Sequence, residues 1–204
     1  MTRAEQRIHQ AALRLFAERG VTQVTVSDLA AAAGVARGTI YNNFTSVETL
    51  FEDVATALTA EMSELVAAAA AETSDPAKRV ADGMRFFVRR AHEDPLWGRF
   101  LVRFGATTPT LQELLQGAPS DDVMLGVENG LFHIRRDQVP TAVGMLSTAV
   151  LTAISLVLEG RRTWRDAGSD VAELFLRAVG VPLEEAQAIA TGELPALSNG
   201  GRGC

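Results

Sequence analysis

Between residues 37 and 43 the chain sets Arg37, Gly38, Thr39, Tyr41, Asn42 and Asn43 around a single apolar residue, Ile40, with no acid among them. A guanidinium, two amides, a phenol and an alcohol can bond base edges and phosphate oxygens. If these seven residues are helical, Ile40 anchors the inner face and the others point outward. Upstream, Ala30 is small enough for a close helix crossing, and Gly34 suits a turn that needs positive φ. The order Ala30, Gly34, Ile40 has the spacing of a helix-turn-helix. A plain three-helix packing unit with a polar surface has the same spacing, so both readings stand on spacing alone.

A second group lies further on. Phe86, Phe87, Trp97, Phe100 and Phe104 fall within 19 residues, and Trp97, Phe100 and Phe104 share one helical face. Singly, each is a core residue; together they can line an apolar cavity of the kind that takes a small molecule. Arg85, Arg89, Arg90, Arg99 and Arg103 interleave with them. Arg90 is the candidate to meet an anionic group, with a solvated arginine as the plainer reading. A third group, Leu146, Val150, Ile154 and Val157, then Val171, Leu174 and Phe175, makes two late helices apolar on most faces. Such helices must be covered, within the chain or by a second copy.

Other chemistry is poorly supported. His9, His92 and His133 lack metal-ligand spacing, so no metal is expected. No P-loop, dinucleotide fingerprint or nucleophile elbow occurs, so neither a cofactor nor catalysis is expected. A small all-α enzyme built on Glu128 or Asp122 would lack a partner for its carboxylate.

The elements that must position these groups all read as helices. Thr2 and Glu5 form a capping box, and Gly20 stops the first helix. Thr25 caps a helix over 26–33, and a short one covers 37–44. A second capping box, Thr45-Ser46-Val47-Glu48, opens a long helix to about Ala71. Asp75-Pro76 and Asp94-Pro95 each cap and start a helix. Gly105, Pro109, Gly117 and Pro119 predict helix pieces and loops over 105–120. Helices at 121–133, 140–161, 169–180 and after Pro182 complete an all-α chain.

Charge divides the chain unevenly. Net charge is −6 over 204 residues, yet residues 1–45 hold five arginines against three acids. That leaves +2 on the first segment and −8 on the rest, so one segment tolerates phosphates and the body does not. The 20 uncharged residues Val139–Leu158 are long enough to span a bilayer. Their stripe of Thr141, Gly144, Thr148, Thr152 and Ser155 favours a helix buried in a soluble core, so no membrane is expected. No signal peptide is visible, and the single cysteine, Cys204, fits a reducing, cytoplasmic setting.

The run Leu29-Ala30-Ala31-Ala32-Ala33-Gly34-Val35-Ala36-Arg37-Gly38-Thr39-Ile40-Tyr41-Asn42-Asn43-Phe44 resembles the N-terminal signature of the TetR/AcrR family of transcriptional regulators. The flanks, Ala11 to Thr25-Val26 and Thr45 to Leu50, are similar to the same family, and the close likeness covers about residues 5–55. Ala36 stands where members often have a capping serine, and Val47 where they usually have a phosphate-touching lysine. The resemblance implies a three-helix DNA-binding domain over 1–46 that contains the helix-turn-helix. It is joined to a larger helical effector-binding and dimerisation domain over 47–197, with a flexible tail at 198–204. Arg37, Thr39 and Asn42 become candidates for base edges. Thr25, Gly38, Tyr41 and Asn43 become candidates for phosphates or close approach. Phe86, Phe87, Arg90, Trp97, Phe100 and Phe104 become effector-pocket candidates. Leu146, Val150, Ile154, Val157, Val171, Leu174 and Phe175 become candidates for pairing with a second copy. The implied function is a homodimeric, ligand-responsive regulator, a repressor that a small-molecule effector releases from a palindromic operator in double-stranded DNA. The rival readings are a helical ligand-binding dimer that has lost DNA binding and the all-α enzyme above.

Overall fold

A computed structural model describes residues 2–43, 46 and 49–194. The described residues form α-helices with a single 3-10 turn at Arg136–Gln138, and no strand occurs among them. The helices are α1 (Arg3–Arg19), α2 (Val26–Ala33), α3 (Arg37–Asn43), α4 (Leu50–Ala70) and α5 (Pro76–Glu93). There follow α6 (Pro95–Phe104), α7 (Pro109–Glu128), α8 (Val139–Leu158), α9 (Trp164–Ala178) and α10 (Leu183–Thr191).

Local chemistry sets the boundaries. Thr2 and Glu5 exchange the two bonds of a capping box, and Gly20 ends α1 at φ 69°. Thr25 and Asp28 form a further box at the start of α2. Asp75 and Asp94 cap α5 and α6, each followed by proline in the first turn, where no N–H is needed. Thr163 Oγ1 accepts from the Asp166 N–H, so α9 starts at Trp164, five residues before the predicted start. Of the box expected to open α4, Thr45, Val47 and Glu48 lie outside the described residues. So does the expected 198–204 tail with Cys204.

One expectation fails in part, for a physical reason. Helix pieces and loops are predicted over 105–120; residues 105–108 do form a turn between α6 and α7, but α7 then runs unbroken through Pro119. A proline inside a helix leaves the carbonyl four residues back without its donor. Here that carbonyl belongs to Leu115, and the buried Ser147 hydroxyl of α8 donates to it at 3.1 Å, sharing its proton with Val143 O at 2.8 Å. A neighbouring helix thus repairs the bond that Pro119 cannot make.

The helices pack in two connected groups. α2 and α3 lie on α1, with Ile8, Phe16, Leu29 and Ile40 fully buried between them. α5 to α10 enclose the larger core, in which α8 packs against α5, α6, α7 and α9. The helix that includes α8 is long and apolar enough to cross a membrane. Its side chains Val143, Leu146, Val150 and Ile154 are nonetheless buried in the protein's own core. α4 leaves the first group and enters the second, touching α1, α5 and α7.

Candidate functional site

The N-terminal helices present a polar surface. α2 ends on Gly34 in the left-handed region at φ 62°, and its N–H bonds back to Ala30 and Ala31. The Val35 N–H closes the turn onto Ala30 O at 3.0 Å. Ile40 then locks α3 against the core at zero exposure. On the outer side Arg37, Gly38, Tyr41 and Asn42 are exposed and Thr39 is half-buried. Tyr41 leaves 69% of its surface in solvent, unusual for an aromatic with no partner helix above it. Thr25 is exposed at the start of α2, its hydroxyl engaged with Asp28 at 2.6 Å. Asn43 ends α3, but its side chain lies outside the described residues.

Two arginines missed at the sequence level hold this surface in place. Arg7 of α1 donates from Nη2 to Ala33 O at 2.6 Å and to Gly34 O at 3.0 Å. A cation there meets the carbonyls and the negative dipole end that the last turn of α2 leaves unsatisfied. Arg103 of α6 does the same for α1, donating to Glu18 O at 3.3 Å. A side chain at position 20 would put a Cβ 2.5 Å from Arg103 Nη1, so Gly20 is needed for this approach as well as for its φ.

The expected effector aromatics do not gather around one space. Phe100 and Phe104 of α6 pack with Phe51 of α4, and Phe16 of α1 joins them. Ring centroids are 5.0 Å apart for Phe51–Phe104, 5.2 Å for Phe16–Phe51 and 5.5 Å for Phe51–Phe100. They form the seam between the two helix groups. Trp97 is buried beside Phe87 at 5.9 Å. Phe86 is buried in α5, and Arg90 is paired with Glu61 of α4 and with Asp94. Only Phe87 of the six lines the main cavity. Apolar composition marks core and pocket alike, so the one-face pattern could not separate them.

That cavity, about 910 Å³ and partly open to solvent, lies between α4, α5, α7 and α8. Val80, Met84 and Phe87 of α5, Leu114 and Leu115 of α7 and Val150 of α8 supply apolar walls. α4 supplies Thr59, Ser63 and Val66. Arg79 is the one cation in the lining, and its Nη2 stands 2.8 Å from Asp122 Oδ1. Burial pushes the Asp122 carboxyl above its ordinary range, and Arg79 only partly offsets it. A second hollow of about 810 Å³ lies against α5 and α9. Its arginines are already engaged there, Arg85 with Asp82 and Gly192 O, Arg89 with Glu93, and Arg165 over the Trp164 ring.

The seven residues expected to pair with a second copy divide by environment. Leu146, Val150, Ile154 and Phe175 are buried within the chain, and Val157 and Val171 are half-buried. Leu174 is 60% exposed, and Met145, not anticipated, is 55% exposed. Along α8 the exposed stripe also holds Thr148 and Thr152. Their hydroxyls donate to Gly144 O at 2.9 Å and Thr148 O at 3.0 Å. The hydroxyls are spent on their own helix, so the face is less polar than its composition implies.

Comparison with known proteins agrees with this build. Residues 8–54 match the family described as bacterial regulatory proteins, tetR family, and residues 75–192 match the tetracyclin repressor-like C-terminal domain. The structure of RolR in complex with resorcinol is 31% identical, covers 96% of each chain and superposes with a TM-score of 0.67. The fatty acid degradation regulator FadR from Bacillus halodurans shares the fold at 21% identity and TM-score 0.69, covering 86% of this chain and 96% of its own. CprB of S. coelicolor, a TetR family protein, does so at 20% and 0.67, covering 93% and 96%. No curated protein sequence matches. The exposed polar helix, the cavity between helices and a family match over more than half the chain lead to one conclusion: the chain belongs to the TetR family and is a ligand-responsive, DNA-binding transcriptional regulator.

Proposed function

We propose that the protein is a cytoplasmic homodimeric repressor. It reads a palindromic operator with α3 and leaves it when a small molecule fills the α4/α5/α7/α8 cavity. Its work is binding rather than catalysis. Residues 1–46 serve as the reader and 47–197 as the sensing and pairing body. The observation that carries the reading is the double engagement of α4. Its N-terminal residues Leu50 and Phe51 are buried near the reader, while Thr59, Ser63 and Val66 line the cavity. A ligand that displaces this helix moves α3 as well. Two α3 helices must sit about 34–36 Å apart to enter successive major grooves, so a small tilt is enough to spoil the fit. A full switch requires about 10⁴-fold preference of the ligand for the released state.

On this reading Arg37, Thr39 and Asn42 contact base edges, and Tyr41, Gly38 and Asn43 meet the phosphate strand with Thr25. The pairing face is the stripe of Met145, Thr148 and Thr152 on α8, continued by Leu174 on α9. Tyr41→Ala tests the reading by mobility shift with DNA from upstream of the protein's own coding sequence. Tyr41 supports no core, so the variant keeps its fold and its dimer but loses the shifted complex. Loss of the dimer in that variant overturns the assignment. Retention of DNA binding at wild-type affinity removes Tyr41 from the contact.

A further inference from the structure

Thr59, Ser63, Glu113, Ser120 and Asp121 also line the cavity, but among the described residues its one ion pair is Arg79 with Asp122, and that pair is incomplete. Arg79 approaches the cavity from α5 and Asp122 from α7, joined by the 2.8 Å ion pair. Asp122 is 7% exposed, so its charge has little water around it. The Arg79 Nε–H is buried and has no acceptor among the described residues. A buried donor left without an acceptor is unfavourable, and a ligand oxygen that reached it would make the missing bond. A carboxylate offers about four lone-pair positions, and the ion pair occupies one, so Asp122 can also accept from a ligand.

Charge narrows the ligand further. Glu113, Asp121 and Asp122 line the cavity against the single cation Arg79, and Glu113 and Asp121 are exposed. An anion would therefore be repelled on approach and would find its only countercharge already engaged. A carbonyl could accept from Arg79 but could not donate to Asp122, and an ammonium could donate but could not accept. A hydroxyl does both with one oxygen. On the walls of the same cavity, Phe87 and Met84 provide flat and polarizable apolar surface suited to a ring.

On the reading that this cavity is the effector site, we infer that the effector is an uncharged ring compound bearing a hydroxyl group. That oxygen accepts from Arg79 Nε and donates to Asp122. The test uses the full-length protein and titration calorimetry with five probes: phenol, resorcinol, toluene, benzoate and benzylammonium. A hydroxylated probe is expected to bind at least about tenfold tighter than toluene, equivalent to about 1.4 kcal/mol. Asp122→Asn is expected to reduce that preference. The double variant Arg79→Met/Asp122→Leu is expected to abolish it while still taking toluene. Removing both charges together leaves neither one buried alone, so the double variant keeps a folded cavity. Toluene binding as tightly as phenol and resorcinol overturns the role of the ion pair but leaves the cavity as a ligand site. Tightest binding by benzoate or benzylammonium overturns the ligand class in the same way. Failure of all five at millimolar concentration overturns both this inference and the cavity reading beneath it.

Discussion

Replacing Arg7 by methionine separates holding the DNA-reading helix from touching DNA. Arg7 donates to Ala33 O and Gly34 O, the carbonyls that shape the turn before α3. Charge-assisted bonds reach roughly 1.5–3 kcal/mol each when buried. Arg7 is exposed, so the pair is worth about 1 kcal/mol in total. One operator engages two such turns, which doubles the effect to about 2 kcal/mol, or about thirtyfold in affinity. The salt dependence should be nearly unchanged, because a turn clamp releases no counterion from DNA. A phosphate contact behaves differently: losing one lowers the slope of log K against log salt by roughly 0.9 per protomer, about 1.8 for the dimer. Fluorescence anisotropy on one labelled duplex from about 50 to about 200 mM salt measures both quantities. A slope for Arg7→Met that falls by about that much would place Arg7 on the DNA backbone. An affinity equal to wild type would show that the turn holds without it. Either result refutes the positioning argument.

Three further outcomes are expected. Ser147→Ala leaves Leu115 O without its donor and should cost about 1–2 kcal/mol. Adding Pro119→Ala restores a backbone N–H four residues on and should return part of that loss, as read by thermal melting of the single and double variants. Leu174→Glu, alone or with Met145→Glu, places charge on the exposed α8/α9 face. Sedimentation should then show monomer with helix content unchanged, whereas a persistent dimer would put the pairing face elsewhere. Burial on α1 lowers the His9 pKa, with Asp53 and Glu5 opposing. The unfolded chain therefore binds more protons than the folded one just below the ordinary histidine range. Stability from His9 is present above about pH 6.5 and declines as the pH falls below it. His9→Gln should flatten that decline in denaturant melts, and an unaltered profile would remove His9 as its source.

The legibility of the sequence followed the range of the forces involved. Capping boxes, αL glycines and Asp-Pro starts act within four residues, and Thr2, Gly20, Gly34, Asp75 and Asp94 appear where local chemistry puts them. The outward face of α3 was readable because Ile40 alone among its residues is apolar. Longer-range partnerships were not. Pro119 looked like a helix end because its compensating donor, Ser147, sits on another helix. Phe100 and Phe104 looked like pocket lining because nothing in their own helix reveals that Phe51 and Phe16 meet them. Leu146 and Val150 looked available for pairing because the burial of one side of α8 depends on α5, α6 and α7. Arg79 and Asp122 are 43 positions apart in the chain, and only the packing of α5 on α7 joins them.

The ring cluster of Phe16, Phe51, Phe100 and Phe104 bears on how this molecule could be cut and rejoined. Phe16 belongs to the reader, yet its ring is sheltered partly by side chains contributed after residue 50. An N-terminal fragment ending near residue 46 would bare that hydrocarbon to water and should melt early or aggregate. A transplant of the reader onto a foreign body would succeed only with α4 and a matching α6 surface included. Heat should therefore dissolve both parts in a single cooperative transition, without an intermediate that keeps one intact.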